Sequence, residues 1–377
     1  MKAHLPIHNY DRLKDIHDVP LVLVGASLKV RRSDMFFPFV QEANFLYVTG
    51  ISEADWMAIL TTSRRCLVMP DKTDTERIFD GGLSADEALK ISGCDEVLTA
   101  NEGAALLEEL SVQHATVYGL NNQVLSQKFK KVEDCRAVFA RARAIKQPHE
   151  IASIREAIRE TSDAFEAVKR RLPELTHEYE IEAEFNRAFR ATGLQGHAYD
   201  PIVASGENAC TLHYQANNDP LPRNGLVLID IGAQAGHFNA DITRTYALGS
   251  PSKRETSIHA AVVKAQRDII ALIRPGVKFD EYQKASDEIV KQALISVNLY
   301  NSDADFRKYF PHAVSHGLGI DVHESLGGYG EFMPGMVLTV EPGIYIPEEG
   351  IGVRIEDDIL VTEDGNEVLS GSLSVGL

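Results

Sequence analysis

Acidic residues interrupt two apolar, strand-like segments in the second half of the chain, and this feature limits the possible folds most strongly. Asp230 interrupts the first segment, and Asp241 interrupts the second, eleven residues later. If the segments form a β-hairpin, their spacing centres the turn between Ala235 and Gly236 and places the two acids directly opposite each other. Like charges held opposite each other on buried strands destabilise a sheet unless a cation lies between them. The sequence therefore predicts a metal site.

A second pair of acids repeats this pattern further along the chain. Glu341 follows one apolar run, Glu356 ends another, and their spacing centres a hairpin between Glu348 and Glu349. Glu341 and Glu356 are therefore predicted to be cross-strand partners. Arg354 precedes Glu356 by two residues and so faces the same side of its strand. Two hairpins that each present a pair of acids are the strongest indication of function in the sequence.

A histidine-rich segment lies between the two hairpins. It contains His312, His316 and His323 within twelve positions, beside glycines that permit close approach of the backbone. One imidazole with four carboxylates is a hard, oxygen-rich ligand set, which suits Mn²⁺, Co²⁺, Fe²⁺ or Zn²⁺ better than a metal that needs soft thiolates. Four carboxylates also suffice to hold two divalent ions ~3.5–4 Å apart with a bridging hydroxide.

In order and context, these residues resemble the five-ligand pattern of the pita-bread metallopeptidases. That family includes methionine aminopeptidases, Xaa-Pro aminopeptidases and Xaa-Pro dipeptidases, and the resemblance covers about residues 141–365. It implies an α+β pita-bread (creatinase/aminopeptidase) catalytic domain that binds two divalent metal ions, with Mn²⁺ favoured. The implied metal ligands are Asp230, Asp241, His316, Glu341 and Glu356.

Other residues resemble the proline-specific branches of the family. His312 lies four residues before His316, and His213 precedes Asp230 at the spacing that the family uses for an active-site histidine. The resemblance also implies the following roles. Glu341 transfers a proton while it binds metal, His213 and His323 stabilise the tetrahedral oxyanion or the substrate amide, His312 helps to position the proline, and Arg354 orients Asp230 and Glu356.

The N-terminal part of the chain adds to this resemblance. Segments 32–34, 37–39 and 44–50 resemble the N-terminal domain of Xaa-Pro aminopeptidases. Residues 40–43 read Val-Gln-Glu-Ala, where that family usually has Arg-Gln-Asn/Ser, and this departure leaves an Xaa-Pro dipeptidase open.

The hydrophobic periodicity predicts two domains. Residues 1–142 alternate strand-like and helical runs, which predicts a smaller α/β N-terminal domain. Residues 143–377 begin with a long amphipathic pattern after Pro148 that stops at Pro173, and they form the predicted catalytic domain. The predicted strands of the first domain include 21–24, 45–48, 57–61, 66–69 and 116–118, and the further helices of the second are 176–192, 255–273 and 279–297.

Composition excludes several other classes of protein. The formal net charge is −17 and the basic clusters are short, which argues against nucleic-acid binding. No apolar run approaches the ~18–20 residues of a membrane span, and no apolar leader precedes the first domain, so neither a membrane protein nor a secreted one is expected. The four cysteines are scattered, which is typical of a reduced, cytoplasmic protein.

These observations predict a dinuclear-metal-dependent Xaa-Pro aminopeptidase that acts on proline-containing peptides and, by resemblance, forms a homodimer. An Xaa-Pro dipeptidase has the same ligands but accepts only dipeptides. A methionine aminopeptidase is disfavoured by Arg354 and by the large N-terminal domain. A non-catalytic pita-bread binding protein typically lacks metal ligands, whereas all five are present here.

Overall fold

The computed structural model describes residues 6–16, 18–120 and 123–377. By its internal contacts the chain divides into two compact units, Met1–Ala142 and Arg143–Leu377. No helix among the described residues is long and apolar enough to cross a membrane.

The first unit contains a mixed sheet with helices packed against it. Its elements are β1 (Leu21–Val24), β2 (Val30–Arg32), β3 (Met35–Phe36), α1 (Ala43–Thr49), β4 (Met57–Leu60), β5 (Arg65–Val68), α2 (Asp74–Asp80), α3 (Ala85–Ser92), β6 (Glu96–Leu98), α4 (Ala100–Gln113), β7 (Thr116–Gly119), α5 (Gln123–Lys128), β8 (Lys131–Asp134) and α6 (Arg136–Ala144). The strands of the sheet lie in the order β6-β5-β4-β1-β7-β8. β1 is antiparallel to β4 and parallel to β7, so the predicted α/β character is confirmed.

One predicted strand of this unit is wrong, because residues 45–48 lie within helix α1. The Glu42 side chain accepts a 2.7 Å hydrogen bond from the backbone N–H of Phe45 and so caps the first turn. Gly50 ends the helix in the left-handed conformation, with φ at 65°. All seven residues of α1 are buried, so the short apolar run lacks the amphipathic period that marks a surface helix.

The second unit contains helices packed against two three-stranded sheets and two short hairpins. Its elements are α7 (Pro148–Arg171), α8 (Glu178–Ala191), β9 (Ile202–Ser205), β10 (Gly225–Asp230), β11 (Gln234–Ala235), β12 (Phe238–Asn239), β13 (Thr243–Leu248), α9 (Lys253–Ile270), α10 (Phe279–Ser296), α11 (Asp303–Tyr309), β14 (Val337–Val340), β15 (Gly343–Ile346), β16 (Ile351–Arg354), β17 (Asp357–Val361) and β18 (Asn366–Val368). The sheets have the orders β13-β10-β9 and β14-β17-β18, and β11–β12 and β15–β16 form the hairpins.

The long helices of this unit confirm the helical periods of the sequence, with ends displaced by a few residues. Helix α7 begins with Pro148 in its first turn, where the missing N–H costs no hydrogen bond. Its apolar stripe, with Ile154, Ile158 and Phe165, packs in one core with Ile229 of β10. This packing holds the acid-bearing end of β10 against a rigid layer of helices.

Candidate active site

A cavity of about 520 Å³ in the second unit gathers every residue that the sequence assigned to metal binding or catalysis. Its walls come from the end of β10, the loop before β13, the segment that follows α11, and the ends of β14 and β16. The predicted residues that line it are His213, Asp230, Asp241, His312, His316, His323, Glu341, Arg354 and Glu356.

The first pair of acids lies on a single hairpin whose register differs from the prediction. The turn is formed by Gly236 and His237, with φ of 53° and 70°, which is the backbone of a two-residue hairpin turn. Asp230 therefore pairs with Thr243, and the predicted direct opposition of Asp230 and Asp241 is wrong. The displacement is two residues along the second strand, and side chains repeat every two residues. Asp241 therefore stays on the same face, as a diagonal neighbour of Asp230.

The second pair of acids lies on one hairpin that has the predicted register. Gly343 pairs with Arg354 in β15–β16, and Val340 pairs with Asp357 in β14–β17, so both ladders share one register. Between these ladders the backbone N–H of Ile355 donates to the carbonyl of Pro342 at 3.4 Å. Glu341 and Glu356 therefore face each other, and the prediction that they are cross-strand partners is confirmed.

The backbone N–H groups of the two glutamates point away from the hairpin, as in a facing pair that is not hydrogen-bonded across an antiparallel ladder. The backbone N–H of Glu341 donates to the carbonyl of Val314 at 2.9 Å, and that of Glu356 donates to the carbonyl of Thr243 at 3.0 Å. Each glutamate is thus fixed by a different neighbouring segment, and both side chains reach the same cavity.

The carboxylates and one imidazole converge within ligand distance. Nε2 of His316 lies 3.5 Å from Oδ2 of Asp241 and 3.5 Å from Oε1 of Glu341. Three groups of side chains each offer ligand atoms that all lie within 4.8 Å of one another. These groups are Asp230–Asp241–Glu356, His316–Glu341–Glu356 and Asp241–His316–His323. Oxygen donors with one or two imidazoles fit a hard or borderline divalent cation, so the residues present fit a metal centre.

The electrostatics of the cluster favour the same conclusion. Burial and the neighbouring acids raise the pKa of Asp241 and that of Glu356 well above their usual values. Burial raises the pKa of Glu341 to about 8, against the lowering effect of Arg354. Acids this close do not all ionise in a low-dielectric site unless a cation compensates them.

Backbone carbonyls fix the histidine tautomers. Nδ1 of His316 lies 3.0 Å from the carbonyl oxygen of Gly317, which can only accept, so Nδ1 carries the proton. Nε2 therefore directs its lone pair at Asp241 and Glu341. Burial lowers the pKa of His316 to about 4, which keeps this ring neutral and able to bind a metal.

Arg354 connects the two pairs of acids. Its Nη2 donates to Oδ2 of Asp230 at 2.5 Å, and its Nε donates to the hydroxyl of Thr243 at 3.1 Å. That hydroxyl donates in turn to Oε2 of Glu356 at 2.7 Å. Arg354 therefore touches Asp230 directly and reaches Glu356 through Thr243.

A second chain of hydrogen bonds runs from the same guanidinium to His312. Nη1 of Arg354 donates to the hydroxyl of Tyr345 at 3.0 Å, and that hydroxyl lies 2.8 Å from Nε2 of His312. Nδ1 of His312 lies 2.7 Å from the Ala313 carbonyl, so it carries the proton and Nε2 accepts from Tyr345. His312 is therefore held at both ring nitrogens, in a fixed orientation against the cavity.

His213 and His323 line the cavity from exposed positions. The ring of His323 packs edge-on against that of His316, with 4.4 Å between centroids. Both side chains are therefore placed where an incoming ligand meets them first.

Sequence reasoning missed Tyr199. Its hydroxyl lies 2.6 Å from Oδ1 of Asp230 and 2.6 Å from Oδ1 of Asp241, so it bridges the first pair of acids. The residue lies in an irregular segment before β9, where no hydrophobic period marks it. The one signal in the sequence is that segment 200–206, which directly follows Tyr199, resembles the corresponding segment of the proline-specific branches.

Sequence reasoning also missed the buried ion cluster around Glu324. Arg143 donates to its Oε1 at 2.5 Å, and Lys146 donates to its Oε2 at 2.9 Å. The backbone of Glu324 exchanges hydrogen bonds with Gly317, which closes the loop that carries His316 and His323. Despite burial, the two cations lower the pKa of Glu324 to about 2. The pattern shows no such signal, because Arg143 and Glu324 are far apart in sequence.

Comparisons with known proteins agree with this site. Residues 152–363 match metallopeptidase family M24, and residues 11–118 match the N-terminal domain of aminopeptidase P. The Xaa-Pro aminopeptidase of Escherichia coli is 33% identical over 93% of this chain and 90% of its own length. Human Xaa-Pro aminopeptidase 3 is 32% identical over 94% of this chain and 78% of its own length.

The fold is also similar to that of solved structures. The structure of E. coli aminopeptidase P with the inhibitor Pro-Leu superimposes with a TM-score of 0.90 at 29% identity. The match covers 99% of this chain and 96% of the E. coli chain. The α+β fold expected from the sequence, a pita-bread domain preceded by a smaller domain, is thereby confirmed.

Proposed function

The chain belongs to metallopeptidase family M24, and we propose that it is an Xaa-Pro aminopeptidase, which hydrolyses the bond between an N-terminal residue and a following proline. The observation that carries this proposal is the single cavity that gathers the converging acids, His316 and the Arg354–Tyr345–His312 chain. The relatives named Xaa-Pro aminopeptidase match across both units, including the N-terminal one.

The metal centre follows from the donor set. Membership of the family implies divalent metal ions. We propose two of them, with Mn²⁺ favoured and Co²⁺, Zn²⁺ or Fe²⁺ compatible with the same donors. When bound, such ions polarise a carbonyl and lower the pKa of water. The proposed ligands are Asp230, Asp241, His316, Glu341 and Glu356.

The chain's own residues supply the proton transfer and the positioning. Glu341 is placed to hold a proton and to return it to the departing proline nitrogen, because its carboxylate lies 3.5 Å from both His316 and His312. His312, fixed at both nitrogens, borders the position of the proline. His213 and His323 face the cavity and are placed to donate to the oxyanion of the tetrahedral intermediate.

The hydrogen-bond networks keep this arrangement rigid. Arg354 orients Asp230 directly and Glu356 through Thr243, as the predicted positioning role requires. Tyr199 fixes the relative position of Asp230 and Asp241. Because an Xaa-Pro amide has no N–H, a peptidase that needs this donor fails on it, whereas a site that acts on the carbonyl does not.

We also propose that the protein is a homodimer of a reduced, cytoplasmic compartment. Apolar side chains are exposed on and beside hairpin β2–β3, including Val30 at 60% and Val40 at 79% of their surface. Such a patch favours burial against a second copy. All four cysteines are free, and three of them are buried.

A paired assay tests the proposed activity. The Mn²⁺-loaded protein is incubated with an Xaa-Pro dipeptide and with the matching Xaa-Pro-Yaa tripeptide, with and without a chelator. Tripeptide cleavage that the chelator abolishes is the expected result. Cleavage of the dipeptide alone would assign the protein as an Xaa-Pro dipeptidase, and cleavage of Met-Ala peptides alone would overturn the preference for proline.

A further inference from the structure

The cavity contains one carboxylate that the metal centre does not use. Five acids line it, and four of them belong to the three groups of converging ligand atoms. The fifth, Asp200, belongs to none of these groups. Its side chain is exposed, and it makes no hydrogen bond or ion pair with any other described residue. Asp200 therefore contributes an uncompensated negative charge to the cavity.

The other charged groups of the cavity do not neutralise Asp200. Arg354 is buried and already holds Asp230 at 2.5 Å. Nε2 of His316 faces Asp241 and Glu341, and the ring nitrogens of His312 are held by Tyr345 and the Ala313 carbonyl. The groups of converging ligand atoms also exclude Asp200, so this carboxylate stays available to a cationic group of the ligand.

The surroundings of Asp200 fit a long cationic side chain. Ile202 and Leu212 line the same cavity and offer apolar surface, and Gln215 adds a polar amide. Lysine and arginine pack their methylene stems on apolar surface while their charged heads stay hydrated beside a carboxylate. Asp200 also directly follows Tyr199, whose hydroxyl touches Asp230 and Asp241, so it lies close to the reacting centre.

On this basis we propose that Asp200 is a specificity-determining residue that favours substrates with a lysine or arginine side chain next to the proline. The inference rests on the proposed function, since it concerns the substrates of the same cavity. Physiological salt largely screens the attraction between exposed opposite charges that are more than ~8 Å apart. The preference is therefore modest, about 3- to 10-fold in kcat/KM.

The test compares three peptides and three proteins. The peptides are Ala-Pro-Ala, Arg-Pro-Ala and Ala-Pro-Arg, and the proteins are the native chain, Asp200→Asn and the control Glu207→Gln. Glu207 is exposed and does not line the cavity. The native chain and the control should favour at least one arginine peptide over Ala-Pro-Ala by about 3- to 10-fold. Asp200→Asn should bring that ratio close to one, and added salt should reduce it in the native chain.

Two results would overturn the proposal. In the first, Asp200→Asn slows all three peptides equally, which would mean that Asp200 acts on a part common to all of them, such as the α-ammonium group. In the second, the native chain shows no preference, or the variant keeps it. If the native chain cleaves none of the peptides, the proposed function fails instead. The affinities of the same peptides for native and Asp200→Asn protein are then measured by calorimetry. The ratio of affinities for an arginine peptide and for Ala-Pro-Ala should exceed one in the native chain and fall close to one in the variant, and an unchanged ratio would overturn the role of Asp200.

Discussion

Asp230 and Asp241 are diagonal neighbours on one hairpin, whereas Glu341 and Glu356 lie directly opposite each other on a second hairpin. The first pair is bridged by the hydroxyl of Tyr199. The second pair has no such bridge among the described side chains, and each glutamate is anchored through its own backbone N–H.

The difference shows that two registers can each deliver a pair of acids to one site. A ladder keeps its acids on one face through the two-residue period of a strand, even when the turn moves. Direct opposition brings two acids together and leaves their backbone N–H groups to neighbouring segments. His316 and the Arg354–Thr243 contacts then join the two pairs.

Replacement of Glu341 should give the largest loss, because this carboxylate lies within reach of both His316 and His312. Glu341→Gln is expected to lower kcat/KM by more than about 100-fold, since even indirect partners of a metal ligand are worth ~10–100-fold. Bound metal per chain should fall in parallel. Glu363→Gln, at an exposed position, is the matched control. Full activity and full metal content in Glu341→Gln would contradict the role of Glu341 as a metal ligand and proton carrier.

Loss of the buried Glu324 charge should affect stability next most strongly. Glu324→Gln removes the buried carboxylate that pairs with Lys146 and, beside Asp321, with Arg143, which is expected to cost about 3 kcal/mol of unfolding free energy. The folded pKa of Glu324 is lowered to about 2, so its contribution is fully present above the unfolded pKa and is lost as the pH falls towards 2. Denaturation at pH 7 and at pH 3 should therefore show a smaller difference between native and variant at pH 3. A difference that grows on acidification would contradict this assignment.

Removal of the Tyr199 hydroxyl should affect the aspartate pair and leave the glutamate pair nearly unchanged. Tyr199→Phe is expected to reduce metal affinity and kcat/KM by about 10–100-fold, because only the aspartate pair depends on this bridge. Metal titration followed by calorimetry should show one weakened site and one that is nearly unchanged. Equal weakening of both sites would mean that the two pairs are not independently supported.

Loss of the contact between Thr243 and Glu356 should lower kcat/KM the least. Thr243→Val removes the hydroxyl that joins Arg354 to Glu356, and about a 10-fold loss of kcat/KM is expected for one hydrogen bond to a charged group. Thr243→Ser keeps the hydroxyl and should retain most of the activity. If valine and serine variants behave alike, the hydroxyl does not orient Glu356.

The sequence allowed the content of the site to be predicted better than its geometry. Acids in apolar runs and the histidine-rich segment predicted residues that do line one cavity. The register of the first hairpin was missed because it depends on the positive φ of Gly236 and His237, which spacing does not reveal. The register of the second hairpin agrees with the spacing of its acids, because Val340 pairs with Asp357 and Gly343 pairs with Arg354.

Contacts between distant residues could not be predicted at all. Tyr199 and the Glu324 cluster become visible only once the fold brings them to the acids and to the histidine loop. Helix α1 was mistaken for a strand because complete burial removes the periodicity that separates the two. Local patterns thus predict which residues are available, and tertiary packing decides what they touch.

Anomalous diffraction from Mn²⁺-soaked crystals is the most direct test of the proposed dinuclear centre. Two peaks are predicted within the cavity, ~3.5–4 Å apart, each bordered by at least two of Asp230, Asp241, His316, Glu341 and Glu356. A single peak would contradict the two-metal assignment. Peaks away from these five residues would contradict the account of the site as a whole.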